Sequence, residues 1–86
     1  MSSELTENAI KIGDIVHIYN KDINPRFPNW TWRVFYIIPD NMPVTKNSII
    51  GLIKVQLENN DYVQKEYVPA KMSWGKLQTH NIKINN

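Results

Sequence analysis

The sequence predicts a small all-β protein with five short strands. Its strongest signal is the stretch 26–38, which contains two of the three tryptophans, both phenylalanines and both arginines. Aromatic and β-branched residues favour strands, and prolines at positions 28 and 39 bound the part of this stretch that is predicted to form the strand. Two further runs carry apolar residues at alternate positions, a third has a mixed apolar phase, and turn-forming residues separate them. Together these observations predict a central aromatic strand with shorter strands on either side.

The central strand is predicted to bury its even-numbered side chains. Positions 30, 32, 34, 36 and 38 are all apolar or aromatic. Successive side chains of a strand point to opposite faces, so the even set should face the core. The odd set begins polar, with Thr31 and Arg33, and becomes apolar at Phe35 and Ile37.

The first strand is predicted to cover 15–19, after a glycine–aspartate turn at 13–14. Val16 and Ile18 share a phase with Ile12, and all three are expected to face the core.

Long loops are predicted on both sides of the central strand, at 20–29 and 41–48. The first of them is too long for a tight hairpin, and two prolines stiffen it. A third strand is predicted at 49–58. Its expected core-facing residues are Ile53, Val55 and Leu57, and its expected outward residues are Lys54, Gln56 and Glu58.

A tight hairpin is predicted at 59–61, because asparagine and aspartate tolerate positive φ. The fourth strand, 62–68, should pair antiparallel with the third, and its mixed apolar phase predicts a bulge. A single 3₁₀ turn is predicted at 69–72, before a short closing strand at 76–78.

This order of elements resembles an SH3-like barrel. The residues that carry the resemblance are 12–18, 32–34 and 67–72, and it covers 10–78, between a flexible N-terminus at 1–9 and a polar C-terminal tail at 79–86. The aromatic pair before a valine is also similar to small SH3-like proteins of cyanobacteria. The resemblance implies a five-stranded SH3-like barrel that acts as a binding module, with peptides, RNA, methylated side chains or electron-transfer complexes as known ligand classes of such barrels.

Composition limits the classes of site. The 86 residues contain no cysteine, so disulfides and thiolate metal sites are excluded. No apolar run reaches the length of a membrane span, and the N-terminus lacks the pattern of a signal peptide. The net charge of +2 is too weak to indicate nucleic acid by itself. A cytoplasmic protein without membrane insertion is expected.

The sequence predicts neither an enzyme nor a cofactor or metal site. The two histidines, His17 and His80, lie in different segments without the spacing of metal ligands. No nucleophile or phosphate-binding motif is present among three isolated glycines.

A partner-binding site is predicted around the first loop, because aromatic residues flank it and arginine lies between them. The candidate residues are Tyr19, Arg26, Phe27, Trp30, Arg33 and Trp74. An equally open alternative is that Phe27 and Trp30 only cover the open end of the barrel.

The predicted function is a non-catalytic protein–protein interaction module, as a small accessory or regulatory subunit of a larger bacterial or phage assembly. A docking subunit of an electron-transfer complex is a narrower version of it. The alternative is a nucleic-acid-binding KOW-type protein, in which Arg26, Arg33, Lys71 and Lys76 would form a basic stripe with Trp74. Scattered acidic residues among them weigh against that stripe, and the oligomeric state stays open.

Overall fold

The structure is a computed structural model that describes residues 10–19, 29–40 and 42–84. The described residues form six strands and one short helix, which confirms the predicted all-β class. The elements are β1 Ile15–Tyr19, β2 Asn29–Ile38, β3 Ile49–Glu58, β4 Asp61–Val63, β5 Pro69–Ser73, α1 Trp74–His80 and β6 Asn81–Ile84. The predicted flexible N-terminus, 1–9, and most of the first loop lie outside the described residues.

The strands form one antiparallel sheet in the order β4-β3-β2-β1-β6. Strand β5 also pairs with β3, opposite residues 49–53, while β4 pairs with residues 56–58. Both therefore occupy the edge of β3 that β2 leaves free, and they act as two pieces of one interrupted strand. Among the described strands, no ladder joins β6 to β4 or β5.

The prediction of one strand at 62–68 followed by a 3₁₀ turn at 69–72 is wrong. The pairing with β3 stops after Val63 and resumes at Pro69, because the chain between them leaves the ladder. A proline is tolerated in an edge strand when its missing N–H would point away from the neighbouring strand. Local sequence alone made Pro69 look like a break in the sheet.

The closing strand predicted at 76–78 is also wrong, because these residues belong to α1. Trp74 and Leu77 are three residues apart and both are buried in the core, as the spacing of a helix requires. The Ser73 hydroxyl caps the helix by accepting a hydrogen bond from the backbone N–H of Lys76 at 3.4 Å. The segment predicted as a tail contains β6, which pairs with β1.

A β-bulge divides β2 into two parts. The pairing with β3 shifts between Val34 and Tyr36. Before the shift, Trp32 and Val34 face the core as predicted. After it, Ile37 packs against the core and Ile38 is exposed, so the even-side prediction is wrong beyond Val34. The extra residue reverses which side chains point inward.

The bounds of β3 agree with the prediction, but its main core-facing phase does not. Ile50 and Leu52 lie in the main core, on the face that we call the inner face of the sheet. Ile53 and Val55 are buried on the opposite, outer face. Leu57, which was expected to be buried, is 62% exposed. The alternation of apolar residues does not identify the core-facing side of β3, because side chains on both faces are buried before residue 56.

Two apolar clusters hold the sheet together. The main core lies on the inner face and contains Ile10, Val16, Ile18, Trp32, Val34, Val44, Ile50, Leu52, Met72, Trp74 and Leu77. A smaller cluster on the outer face contains Ile15, Ile53 and Val55, with Tyr62 packed against it. The inner face therefore supplies most of the apolar burial.

The predicted turns are confirmed by their backbone angles. Gly13 has φ of 99°, and the hairpin residues Asn59 and Asn60 have φ of 54° and 66°. Two consecutive residues with positive φ match the twist of the flanking strands. The turn at Gly13 does not keep the strand register, however: Ile12 is exposed and Ile10 is buried instead.

No helix within the described ranges is long and apolar enough to cross a membrane.

Candidate functional site

The structure separates the predicted site residues instead of bringing them together. Arg26 and Phe27 lie outside the described residues, and Tyr19 is placed only as the last residue of β1. Trp74 is 1% exposed and belongs to the main core, so its predicted role as a partner contact needs correction. Its burial follows from the helix that the sequence did not predict, since α1 turns this side chain toward Leu77 and the sheet.

Trp30 lies at the start of β2 on the inner face, where it is partly buried. Its ring is tilted against Trp32 at a centroid distance of 5.5 Å. The Lys54 ammonium lies 4.3 Å from the centroid of the Trp30 ring, and it is 3.9 Å from the Glu66 carboxylate. Trp30 therefore covers the end of the core, as the covering alternative predicted for it, and Lys54 covers Trp30 in turn.

Arg33 lies on the outer face, opposite to Trp30. Its Nη2 donates a hydrogen bond to the backbone carbonyl of Tyr62 at 2.7 Å. This partly buried bond links β2 to β4 across β3, so Arg33 helps to fasten the hairpin to the sheet. Trp30 and Arg33 cannot contribute to one contact patch, because the two residues point to opposite faces.

A groove on the outer face is the strongest candidate site among the described residues. It has a volume of about 300 Å³. We call it the aromatic groove, and its lining residues are Phe35, Tyr36, Tyr67, Pro69, Ala70 and Lys71.

The bulge in β2 and a glycine in β3 together create this groove. The bulge turns Tyr36 to the outer face, where its cross-strand partner is Gly51. The Tyr36 ring lies directly on Gly51, and a Cβ atom at that position would overlap the ring. The Phe35 ring meets the Tyr36 ring edge to face, at a centroid distance of 4.8 Å. Both rings are thus held by strands, and no flexible loop is needed to place them.

The wall of the groove that faces these rings comes from Tyr67 and from the first three residues of β5. Tyr67 is 70% exposed and Phe35 is 39% exposed, which is unusual for large aromatic side chains in a small domain. Lys71 is the one charged residue in the lining. The groove therefore offers aromatic and proline surface, tyrosine hydroxyls for hydrogen bonds, and a single ammonium group.

A second cavity, with a volume of about 440 Å³, lies beside the C-terminal end of β2. Its lining includes the exposed Ile12 and Met42, with Lys11 and Asp40 at its rim. It contains no aromatic side chain among the described residues, so the contacts it offers are aliphatic and weaker in specificity.

The described residues hold no group of three histidine, aspartate or glutamate side chains that could bind a metal ion. In the aromatic groove, the arrangement supplies contact area and charge. It does not place a nucleophile beside a base in the way that nucleophilic catalysis requires.

The partner-binding residues predicted from the sequence did not include Phe35, Tyr36 and Tyr67, and Lys71 was predicted only as part of the alternative basic stripe. Two adjacent aromatic residues at 35 and 36 were a signal, since one of them must point away from the core in a regular strand. Their meeting with Tyr67 depends on the pairing of β5 with β3, which local sequence does not reveal.

Comparisons of this chain with protein-family models, curated proteins and solved structures find no match.

Proposed function

We propose that this protein is a non-catalytic protein–protein interaction module that binds its partner through the aromatic groove. One observation carries the proposal: three aromatic rings and a proline surround an open groove on the outer face of the sheet. Tyrosine and phenylalanine are enriched where proteins bind each other, and they provide large contact area at a low cost in conformational entropy.

The position of the rings supports the proposal energetically. Phe35 and Tyr36 belong to β2, and Gly51 fixes the height of the Tyr36 ring above the sheet. A surface that is ordered before binding loses less entropy when the partner arrives. Truncating an aromatic anchor at the centre of such an interface typically costs about 2 kcal/mol or more in affinity.

We further propose that the fold is SH3-like. Strand β1 pairs with both β2 and β6, the long first loop joins β1 to β2, and a short helix precedes the last strand. These features support the assignment. We propose in addition that the protein is a small cytoplasmic accessory or regulatory subunit of a larger bacterial or phage assembly. The first-loop residues Arg26 and Phe27 lie outside the described residues, and their contacts with a partner remain a prediction separate from the aromatic groove.

Nucleic acid is the alternative class of ligand for the aromatic groove. Single-stranded nucleic acid needs a basic groove along its backbone as well as rings for its bases. Among the described residues, the aromatic groove has Lys71 as its one cation, so the geometry favours a protein partner.

The proposal is tested by affinity capture from native cells with the wild-type chain and Tyr67→Ser, each with and without nuclease. Tyr67 is largely exposed, so its replacement should leave the fold intact. We expect a defined protein to be captured by the wild type, to be lost with Tyr67→Ser, and to resist nuclease. The matched control is Leu57→Ser, which removes an exposed apolar side chain at the end of β3, outside the aromatic groove. Equal capture by Tyr67→Ser, or capture that nuclease abolishes, would contradict the proposal.

A further inference from the structure

We infer that the free edge of β5 receives an extended segment of the partner protein as an additional strand, beside the aromatic groove. The inference rests on the proposed function and specifies how the partner is held. It combines three observations: the direction of the backbone groups in β5, the position of the groove, and the charge of Lys71.

The hydrogen bonds at both ends of the β3–β5 ladder show which backbone groups are already used. Lys54 donates to the carbonyl of Val68 at 3.0 Å, and Trp74 donates to the carbonyl of Ser48 at 2.7 Å. In an antiparallel pair, residues that bond to the neighbouring strand alternate with residues whose groups point away from it. The even-numbered residues of β5 therefore face β3, and Pro69, Lys71 and Ser73 face outward.

The outward groups form an edge that a peptide could pair with. They comprise the carbonyl of Pro69, the N–H and carbonyl of Lys71, and the N–H of Ser73. No described strand pairs with this edge. Pro69 fits the assignment, because the N–H that proline lacks would have pointed to the edge and not to β3.

The aromatic groove lies next to this edge on the outer face. Tyr67, Pro69 and Lys71 line the groove from the edge side, while Phe35 and Tyr36 line it from β2. A strand added to β5 places every second side chain on the outer face. In the partner segment, we expect an acidic residue opposite Lys71. We expect an apolar residue two positions away in the same segment, with its side chain on the outer face beside Tyr67.

A second copy of this chain fits the edge less well. Two β5 strands that pair antiparallel about a twofold axis through Lys71 would place two lysines directly opposite each other. Like charges in that position destabilise a pair of strands. The charge of the edge therefore favours an acidic partner segment.

The experiment uses the full-length chain and a random peptide library displayed on phage, followed by synthesis of the selected sequence. We expect selected peptides to carry an apolar and an acidic residue two positions apart. Binding should slow the hydrogen exchange of the Lys71 and Ser73 amides, measured by NMR. Methylating the peptide's backbone nitrogen that faces the carbonyl of Lys71 should weaken binding at least tenfold, since methylation removes the donor.

Reversing the charge of Lys71 tests its predicted contact with the acidic residue of the peptide. Lys71→Glu should weaken binding at least tenfold and should recover affinity for a peptide whose acidic residue is replaced by lysine. Lys11→Glu makes the same change of charge outside the groove and should leave affinity unchanged.

The outcomes separate this inference from the proposed function. Peptides that need Tyr67 but leave the Lys71 and Ser73 amides unprotected would overturn the added strand and keep the groove as a binding site. Failure to select any peptide that depends on Tyr67 would contradict both. Protection of the same amides by self-association, or by oligouridine RNA, would overturn the inference in favour of a second copy or of nucleic acid.

Discussion

Strands β2, β3 and β5 contribute side chains to both faces of the sheet, and the two faces have different roles. On the inner face, Trp32, Val34 and Leu52 are fully buried in one continuous core. On the outer face, Tyr36 lies on Gly51 and borders an open groove. The difference teaches that one added residue in β2 is enough to turn Tyr36 from the inner face to the outer face, where it lies beside Phe35.

Continuity of packing accounts for this difference. Trp32 fills the inner layer together with side chains from β1, β3, β5 and α1. The groove side chains meet neighbours on one side only, and solvent reaches the other. Truncation on the inner face should therefore lower stability, whereas truncation in the aromatic groove should lower stability slightly and binding strongly.

The largest expected effect is on the inner face. Trp32→Ala should lower the free energy of unfolding by about 3–5 kcal/mol, because it leaves a large cavity in the core. Urea denaturation measures the loss. The control Gln56→Ala, at an exposed position of β3, should cost less than about 0.5 kcal/mol. Comparable losses for the two variants would contradict the assignment of the inner face.

Trp32→Phe sharpens the same test. Within the described residues, the indole N–H of Trp32 has no hydrogen-bond acceptor. Phenylalanine keeps an aromatic ring in the core and removes this unpartnered donor, so the loss should be well below that of alanine. A loss as large as that of Trp32→Ala would contradict this expectation.

The next effect is on the outer face. Gly51→Ala should cost about 1–3 kcal/mol, because the new methyl group displaces the Tyr36 ring. The cost should largely disappear in a Tyr36→Ala background, and a double-mutant cycle measures this coupling. If Gly51→Ala costs the same in both backgrounds, Tyr36 does not set the limit on side-chain size at this position.

A smaller effect is expected where the outer face is fastened to β4. Arg33→Met keeps the aliphatic stem but removes the donor to the Tyr62 carbonyl. We expect a loss of about 1–2 kcal/mol, since the bond is charge-assisted but only partly buried. Thermal and urea denaturation check the value. An unchanged stability would mean that solvent replaces the guanidinium without cost.

The smallest effect concerns Lys54, which covers Trp30 at the end of the inner face. Lys54→Met should lower stability by no more than about 1 kcal/mol, the usual size of a cation–π contact at a solvent-accessible site. Glu66→Gln, which removes the ion-pair partner of Lys54, should change stability very little because Glu66 is largely exposed. A larger effect for Glu66→Gln would reverse the ranking of these two contacts.

The sequence by itself determined the elements whose signals are local. Alternating apolar residues predicted β1 and the bounds of β3, and the aromatic run predicted β2. Asparagines at 59 and 60 predicted the hairpin, because few other residues adopt positive φ easily. In each case, the structure of the element depends on residues that are close together in the sequence.

Only the tertiary structure decided the features that depend on partners distant in the chain. The bulge after Val34 appears only in the pairing of β2 with β3, and the edge position of Pro69 appears only in the pairing of β5 with β3. Local propensity read 69–78 as a turn and a strand, yet burial of Trp74 and Leu77 against the sheet favours a helix there. The candidate groove arises from these same distant pairings, so its residues could not be identified before the strands were placed.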